Sequence, residues 1–425
     1  MRILRRASIL APLLAAAALQ ASAPAGRPSL VSVSYVPGLE TRLQPLGLDV
    51  LAAWKDRVYV LADEADLRSL DRAELAFRSE EALSMAAALS TSGGINGAYH
   101  SYKELETDLL ALQQKNPAIA KVFDLGLSVE NRHIYGLKIS DNVQVEEAQA
   151  QILILGCHHA REWISVEVPF LFGKYLVDNY ATDPEVKRLV DRSEIWIVPL
   201  VNPDGLEYTI HTYRYWRKNR RDNGGGEFGV DLNRNYDYKW GFDNVGSSGD
   251  PSSDVYRGPS AFSEPESRAV RDLFLKKSFG AVVSYHSFDQ VILFPWGYTA
   301  QPSDRDAELR AIAGEMASRI KAVNGRVYTP GESGKDLYPT NGDAVDWTFG
   351  LSGIPSFTIE LPPIDELMGG FFNREEDILP IFQENLPALL YLVDRSIQNF
   401  RPFLQNPYDL RGVFFPGARA SRVLY

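Results

Sequence analysis

Apolar residues along this 425-residue chain fall into two patterns. Short, nearly unbroken apolar runs alternate with longer stretches in which apolar positions recur every three or four residues. The runs at 134–140, 151–156, 195–201, 280–287 and 356–361 predict buried strands, because a strand without polar alternation must be covered on both faces. The periodic stretches Lys103–Asn116, Trp163–Tyr180, Pro265–Lys276, Asp304–Ala322 and Ile378–Phe400 predict the helices between them. Pro169 falls in the first turns of the second helix or kinks it. Continuous strands alternating with helices predict an α/β fold whose sheet is covered on both faces. In such sheets ligands collect at the carboxyl ends of the strands.

The first hundred residues follow another pattern. Arg2, Arg5 and Arg6 precede an apolar, Ala-rich run over 7–19, and Ala21-Ser22-Ala23 offers a small-x-small cleavage site. Residues 1–23 therefore read as an export signal, and a secreted or periplasmic location is expected. The run is too short to span a membrane, and no later stretch is long enough. Residues 24–95 form a separate segment. Arg57–Leu61 reads as a strand, and Asp63–Glu81 as a helix carrying Leu67, Leu70, Leu75 and Phe77. A Ser/Gly-rich stretch reaching Tyr99 reads as a linker. A small α+β module before a linker on an exported chain suggests a propeptide, with a permanent accessory segment as the alternative. Residues 96–400 then form the main domain and 401–425 a tail.

Composition changes this picture little. The net charge is −11 with no basic stripe, which argues against nucleic acid as a partner. A single cysteine, Cys157, excludes an intrachain disulfide. It adjoins His158 and His159, but a lone cysteine beside a buried strand reads first as a small hydrophobe.

The candidate chemistry lies at the strand ends. The run 151–156 stops at Gly156, and His159 and Glu162 follow, three residues apart. A tight turn puts both side chains on one side. An imidazole and a carboxylate there make two-thirds of a catalytic zinc site, which typically has three protein ligands and an open position. His286 ends the run 280–287, on the face shared by Val282 and Ser284, and is the natural third ligand. Glu360 ends another strand, where a carboxylate is costly to bury unless it is paired or used. Beside zinc it could take a proton from an activated water. Arg217, Asn233 and Arg234 supply cationic and amide groups suited to a carboxylate or an oxyanion.

Eight motifs in order complete a resemblance: HAREW (159–163), NPDG (202–205), WRKNR (216–220), DLNRNY (231–236), YRGPSAFSEPE (256–266), SYHS (284–287), YPTNGDAVDW (338–347) and FTIEL (357–361). From about Tyr99 to Phe400 the chain resembles secreted zinc carboxypeptidases of the pancreatic A/B type and the bacterial dual-specificity enzymes. The resemblance implies a mixed, mostly parallel twisted sheet and one zinc ion held by His159, Glu162 and His286. It also implies Glu360 as general base and Arg217 as the group that polarises the scissile carbonyl. Asn233, Arg234 and Tyr338 become the clamp on the substrate's terminal carboxylate, with Tyr338 on a closing loop. Arg161 and Ser287 line further subsites. The expected partners are peptide or protein C-termini, with no membrane, and the expected state is a monomer.

Two positions bear on specificity. Strict basic-residue members carry an acid directly before the Asp-Trp pair, where this chain has Val345, as do hydrophobic-preferring members. Asp343, two residues earlier, resembles the dual-specificity arrangement. Bulky hydrophobic and aromatic C-terminal residues are expected, with basic ones an open question. Phe288 replaces a tyrosine common after the His-Ser pair. A cell-wall muropeptide peptidase of the same fold and a non-catalytic peptide binder are the alternatives. The intact clamp and complete catalytic set count against them. No G-x-S-x-G elbow or HExxH motif is present.

Overall fold

The computed structural model describes residues 29–79, apart from 37–38, 44–45, 47 and 55–56, together with 96–364 and 370–401. The expected signal, the linker up to residue 95 and all but the first residue of the tail lie outside these.

The N-terminal unit contains β1 (Ser29–Ser34), α1 (Leu39–Leu43), β2 (Asp49–Trp54), β3 (Arg57–Ala62), α2 (Glu64–Arg72) and β4 (Phe77–Ser79). Its four strands form an antiparallel sheet in the order β2-β3-β1-β4. Asp63 caps α2 through a capping box with Asp66. The helix expected to reach Glu81 stops at Arg72. Glu74 adopts a φ of 52°, and Phe77 then pairs with Val33 in the sheet. Leu75 is buried in the unit's own core and Phe77 packs against it. The tertiary demand for an edge strand overrides the helical spacing.

The main domain runs α3 (Tyr102–Lys115), β5 (Ala120–Leu127), β6 (His133–Ile139), β7 (Ala150–Gly156), α4 (Ile164–Asn179), α5 (Pro184–Val190), β8 (Ser193–Val198) and α6 (Pro203–His211). A short hairpin, β9 (Asp222–Gly224) and β10 (Glu227–Phe228), precedes α7 (Pro265–Lys276), β11 (Phe279–Ser287), β12 (Val291–Phe294) and α8 (Asp306–Asn324). The chain ends its described course with β13 (Thr329–Glu332), α9 (Ala344–Ser352), β14 (Ser356–Leu361) and α10 (Ile378–Asn399). Pro169 sits inside α4 without ending it.

Eight strands form one mixed sheet in the order β13-β12-β14-β11-β7-β8-β6-β5. Its centre, β14-β11-β7-β8, is parallel. On one face Ile152, Ile154 and Val283 pack with Phe172 of α4, Met316 of α8 and Leu392 of α10. On the other, Leu153, Leu155 and Val282 pack with Val270 of α7 and Trp347 of α9. Neighbouring residues of one strand thus enter opposite cores, as the two-residue period requires. This is the expected α/β architecture. A methyl group on Gly156 would lie 2.2 Å from the Ser165 carbonyl and 2.7 Å from that of Pro199. Glycine is what lets β7 end against both segments.

Candidate active site

The parallel register gathers the site at the carboxyl end of the sheet. Gly156 ends β7, Cys157 turns the chain with a φ of 54°, and His159 follows. The Glu162 N–H donates to the His159 carbonyl at 3.3 Å, a tight turn that places both side chains together. On β11, His286 sits directly opposite Glu360 of β14. One register therefore joins the expected third ligand to the expected base.

Ligand atoms of His159, Glu162 and His286 converge within 4.8 Å of one another, and all three residues are buried. His159 Nδ1 lies 2.7 Å from Glu162 Oε1, and His286 Nδ1 lies 3.0 Å from Oε2 and 3.1 Å from His159 Nδ1. Two ring nitrogens facing each other and a carboxylate are donors to a cation. Burial alone would raise the Glu162 carboxyl, but the two imidazoles outweigh it and hold it well below the usual range. Burial pushes His286 down, towards the neutral ring a metal requires. The donor set fits zinc, and the neighbouring base fits too: Glu360 Oε2 is buried without a hydrogen-bond partner.

The outer nitrogens are also held. His159 Nε2 meets Asp231 Oδ1 at 3.2 Å, and Asp231 Oδ2 accepts from Arg217 Nε and Nη2, each at 2.9 Å. Burial raises the Asp231 carboxyl, but Arg217 and His159 outweigh it and hold it well below its usual range. His286 Nε2 meets Ser284 Oγ at 3.1 Å. Such contacts fix ring orientation and tautomer in metal sites. The Ser287 N–H donates to Glu162 Oε2 at 3.3 Å. Backbone ties hold these segments together. The Ala160 N–H donates to the Arg217 carbonyl at 2.9 Å, and Asn202 Nδ2 donates to the carbonyls of His158 and Lys218. The NPDG and WRKNR motifs thus brace the ligand turn.

A cavity adjoins this group, and both His159 and Glu360 line it. Its other walls include Asn233, Arg234, Tyr338, Asp343 and Val345. Arg234 is fully buried; its Nε and Nη1 donate to the Gly246 and Asn233 carbonyls at 2.8 Å. Asn233 Oδ1 accepts from the Ala344 N–H at 3.0 Å, which fixes the amide with its NH2 as the group free to bind. Tyr338, 47% exposed, follows a wide helical turn over Ser333–Leu337. Asp343 caps α9, accepting from the Asp346 N–H at 2.8 Å and the Thr340 hydroxyl at 2.6 Å. Burial raises Glu360 well above the usual carboxyl range, and the charges of Glu162 and Asp289 add to this.

The structure therefore brings His159, Glu162, His286, Glu360, Asn233, Arg234, Tyr338, Asp343 and Val345 into one region. Arg217 joins through Asp231. Arg161 lies beside it, its guanidinium 4.1 Å from the Phe371 ring centre and 3.9 Å from Asp254. Phe371 in turn meets Phe288 edge-on at 4.8 Å. Cys157 is buried and turns its thiol towards the His159 carbonyl at 3.5 Å, away from a ligand role. Sequence reasoning missed Asp231, although it opens the motif quoted for Asn233 and Arg234. An acid three residues before a buried Arg was the available signal.

A buried His-Glu-His group at the carboxyl ends of a mixed sheet, next to an Arg-lined cavity, defines a metal-dependent hydrolase. Residues 105–388 match the zinc carboxypeptidase family, and the chain belongs to it; it is a metallopeptidase. It is similar to carboxypeptidase B of Astacus astacus, 35% identical over 297 residues that cover 69% of this chain and 95% of that protein. It is also similar to carboxypeptidase A2 of Rattus norvegicus, 32% identical over 369 residues, 86% of this chain and 82% of that one. In three dimensions it resembles thrombin-activatable fibrinolysis inhibitor with a TM-score of 0.73 at 26% identity, covering 88% of this chain and 100% of that one. Among the described residues no helix is long and apolar enough to cross a membrane.

Proposed function

We propose that the protein hydrolyses the last peptide bond of peptides and proteins, releasing single C-terminal residues. One observation carries this reading: the cation-binding group and the Arg234–Asn233 cavity share a wall formed by His159 and Glu360. An anion bound by Arg234 and Asn233 is thereby held at a fixed reach from the metal position. Only a chain end carries a carboxylate one residue beyond a peptide bond.

Zinc held by His159, Glu162 and His286 would acidify a water and polarise the scissile carbonyl. Glu360 takes the proton of the attacking water, and the hydroxyl adds to the carbonyl carbon. The same carboxyl then hands the proton to the leaving amine as the C–N bond breaks. Arg217, held by Asp231, faces the charge that develops on the carbonyl oxygen. Asn233, Arg234 and Tyr338 bind the terminal carboxylate, and Tyr338 is exposed enough to move as substrate enters. Arg161 and Ser287 serve the residues before the scissile bond.

Val345 and Asp343 bear on the released side chain. Val345 presents an apolar wall and favours bulky apolar residues. Asp343 is 2% exposed and already accepts two hydrogen bonds, so it attracts a Lys or Arg from the cavity wall without being free to pair fully. Asp343→Asn keeps the helix cap and removes the charge. Turnover of peptides ending in Lys or Arg is expected to fall while turnover of those ending in Phe holds; equal losses on both would reject this role.

The N-terminal unit, in this reading, is part of a propeptide over 24–95 behind an export signal at 1–23. A separate core and a four-stranded sheet of its own support an independent module. Comparing peptide hydrolysis by 24–425 and 96–425 tests it, with higher activity expected of the shorter chain.

A further inference from the structure

His158 is fully buried next to a metal ligand, yet it is not one. An apolar residue would fill the same volume among β7, β11 and Tyr236 without the cost of burying a polar ring. The histidine instead completes a line of hydrogen bonds. His286 Nε2 lies 3.1 Å from Ser284 Oγ, Ser284 Oγ lies 3.2 Å from His158 Nδ1, and His158 Nε2 lies 2.8 Å from Tyr236 Oη. The His158 and His286 rings lie parallel to within 10°, with centres 5.6 Å apart. Tyr236 is itself fixed: its N–H donates to the Gly342 carbonyl at 2.9 Å, and its ring packs on Phe262 and Trp347.

The chemistry gives this line a direction. His286 turns Nδ1 towards Glu162 and His159, so a metal there takes Nδ1 and leaves the ring proton on Nε2. That N–H must donate, and Ser284 Oγ is its acceptor. The Ser284 hydroxyl then places its own proton on His158 Nδ1. His158 therefore carries its proton on Nε2 and donates it to Tyr236 Oη. Run in reverse, the line would have Ser284 donate to His286 Nε2 and put the ring proton on Nδ1, the atom a metal needs. An acceptor at His158 Nδ1 disfavours that reversal.

We propose that His158, acting through Ser284 and anchored by Tyr236, is a positioning residue that holds His286 in the tautomer whose Nδ1 is open to the metal. It does for His286 what Asp231 does for His159. The inference rests on the reading of His159, Glu162 and His286 as the zinc ligands.

The test is zinc affinity of the full protein, measured by competition with a chromophoric chelator, and the visible spectrum of the cobalt(II) form. His158→Leu and Ser284→Ala are expected to weaken zinc binding about tenfold or more, the usual effect of removing an outer partner of a ligand. Both are expected to shift the cobalt bands. The double variant should bind no more weakly than the weaker single one, because both cut one line. His158→Asn should restore affinity, since its Oδ1 can accept from Ser284. Zinc affinity of His158→Leu within about twofold of the parent, with an unchanged cobalt spectrum, would overturn the inference. Should His158→Leu fail to fold, Ser284→Ala decides alone by the same two readouts. If the unaltered protein binds no zinc, the ligand assignment itself fails, which is a different result.

Discussion

At Glu360 burial and function pull in one direction. Its carboxyl is buried, one oxygen lacks a partner, and burial, with nearby acids adding to it, raises its pKa. A carboxylate so placed costs stability unless something positive or protic meets it. Glu360→Gln removes the proposed proton acceptor while keeping the shape. It should lower kcat/KM on a blocked dipeptide about 100- to 10,000-fold and leave zinc affinity near that of the parent. A fall of less than tenfold would remove Glu360 from the proton-transfer role. Asp231 carries two tasks, since one oxygen meets His159 and the other Arg217. Asp231→Asn can still meet His159, but it leaves the buried Arg217 without its counter-charge. Zinc affinity is expected to fall about tenfold, and kcat with it, in chelator-competition and steady-state assays. Unchanged values in both would show that neither neighbour depends on the carboxylate.

Elements deliver these residues. His286 and Glu360 meet because β11 and β14 run parallel in register, and His159 because β7 stops at a glycine. Gly156→Ala would drive a methyl group into two backbone carbonyls. A loss of about 3 kcal/mol in urea unfolding is expected, the upper end for overpacking. A loss under 1 kcal/mol would mean that β7 can shift without disturbing the ligand turn. The buried strands were legible from the sequence because their apolar runs have no other home. The strands β5, β12 and β13 were not. β5 and β13 lie at the sheet's edges, where polar residues are tolerated, and β13 includes Pro330 and Gly331, which ordinarily signal a turn. The candidate ligands and base were legible for a different reason. Catalytic side chains cluster at strand ends, and His159, Glu162, His286 and Glu360 all sit there. Asp231 meets His159 across 72 residues of sequence and His158 meets Ser284 across 126, contacts that no local spacing reports, whereas Ser284 stands two residues from His286 on one strand face.

Over the whole molecule, charge sets how stability varies with pH. His100, just beyond the N-terminal segment, meets Glu167 of α4 at 2.7 Å and Asp108 of α3 at 3.2 Å. Burial would lower its pKa, but Glu167 and Asp108 outweigh this and raise it to about 9. A raised histidine stabilises fully below its unfolded value of about 6.5, and the contribution fades as pH climbs through 9. The stability difference between the parent and His100→Gln should therefore shrink between those limits in urea melts taken from pH 6 to 10. A constant difference across that range would show that His100 is not charged in the folded protein. At the same scale, the proposed activity is confined to chain ends. That confinement is tested most directly by incubating the protein with blocked peptides ending in Phe, Leu, Lys, Arg or Glu, with and without a zinc chelator. Release of the terminal residue alone, abolished by the chelator and restored by zinc, is the predicted result. Internal cleavage, or no release from any peptide by folded, zinc-loaded protein, would contradict it.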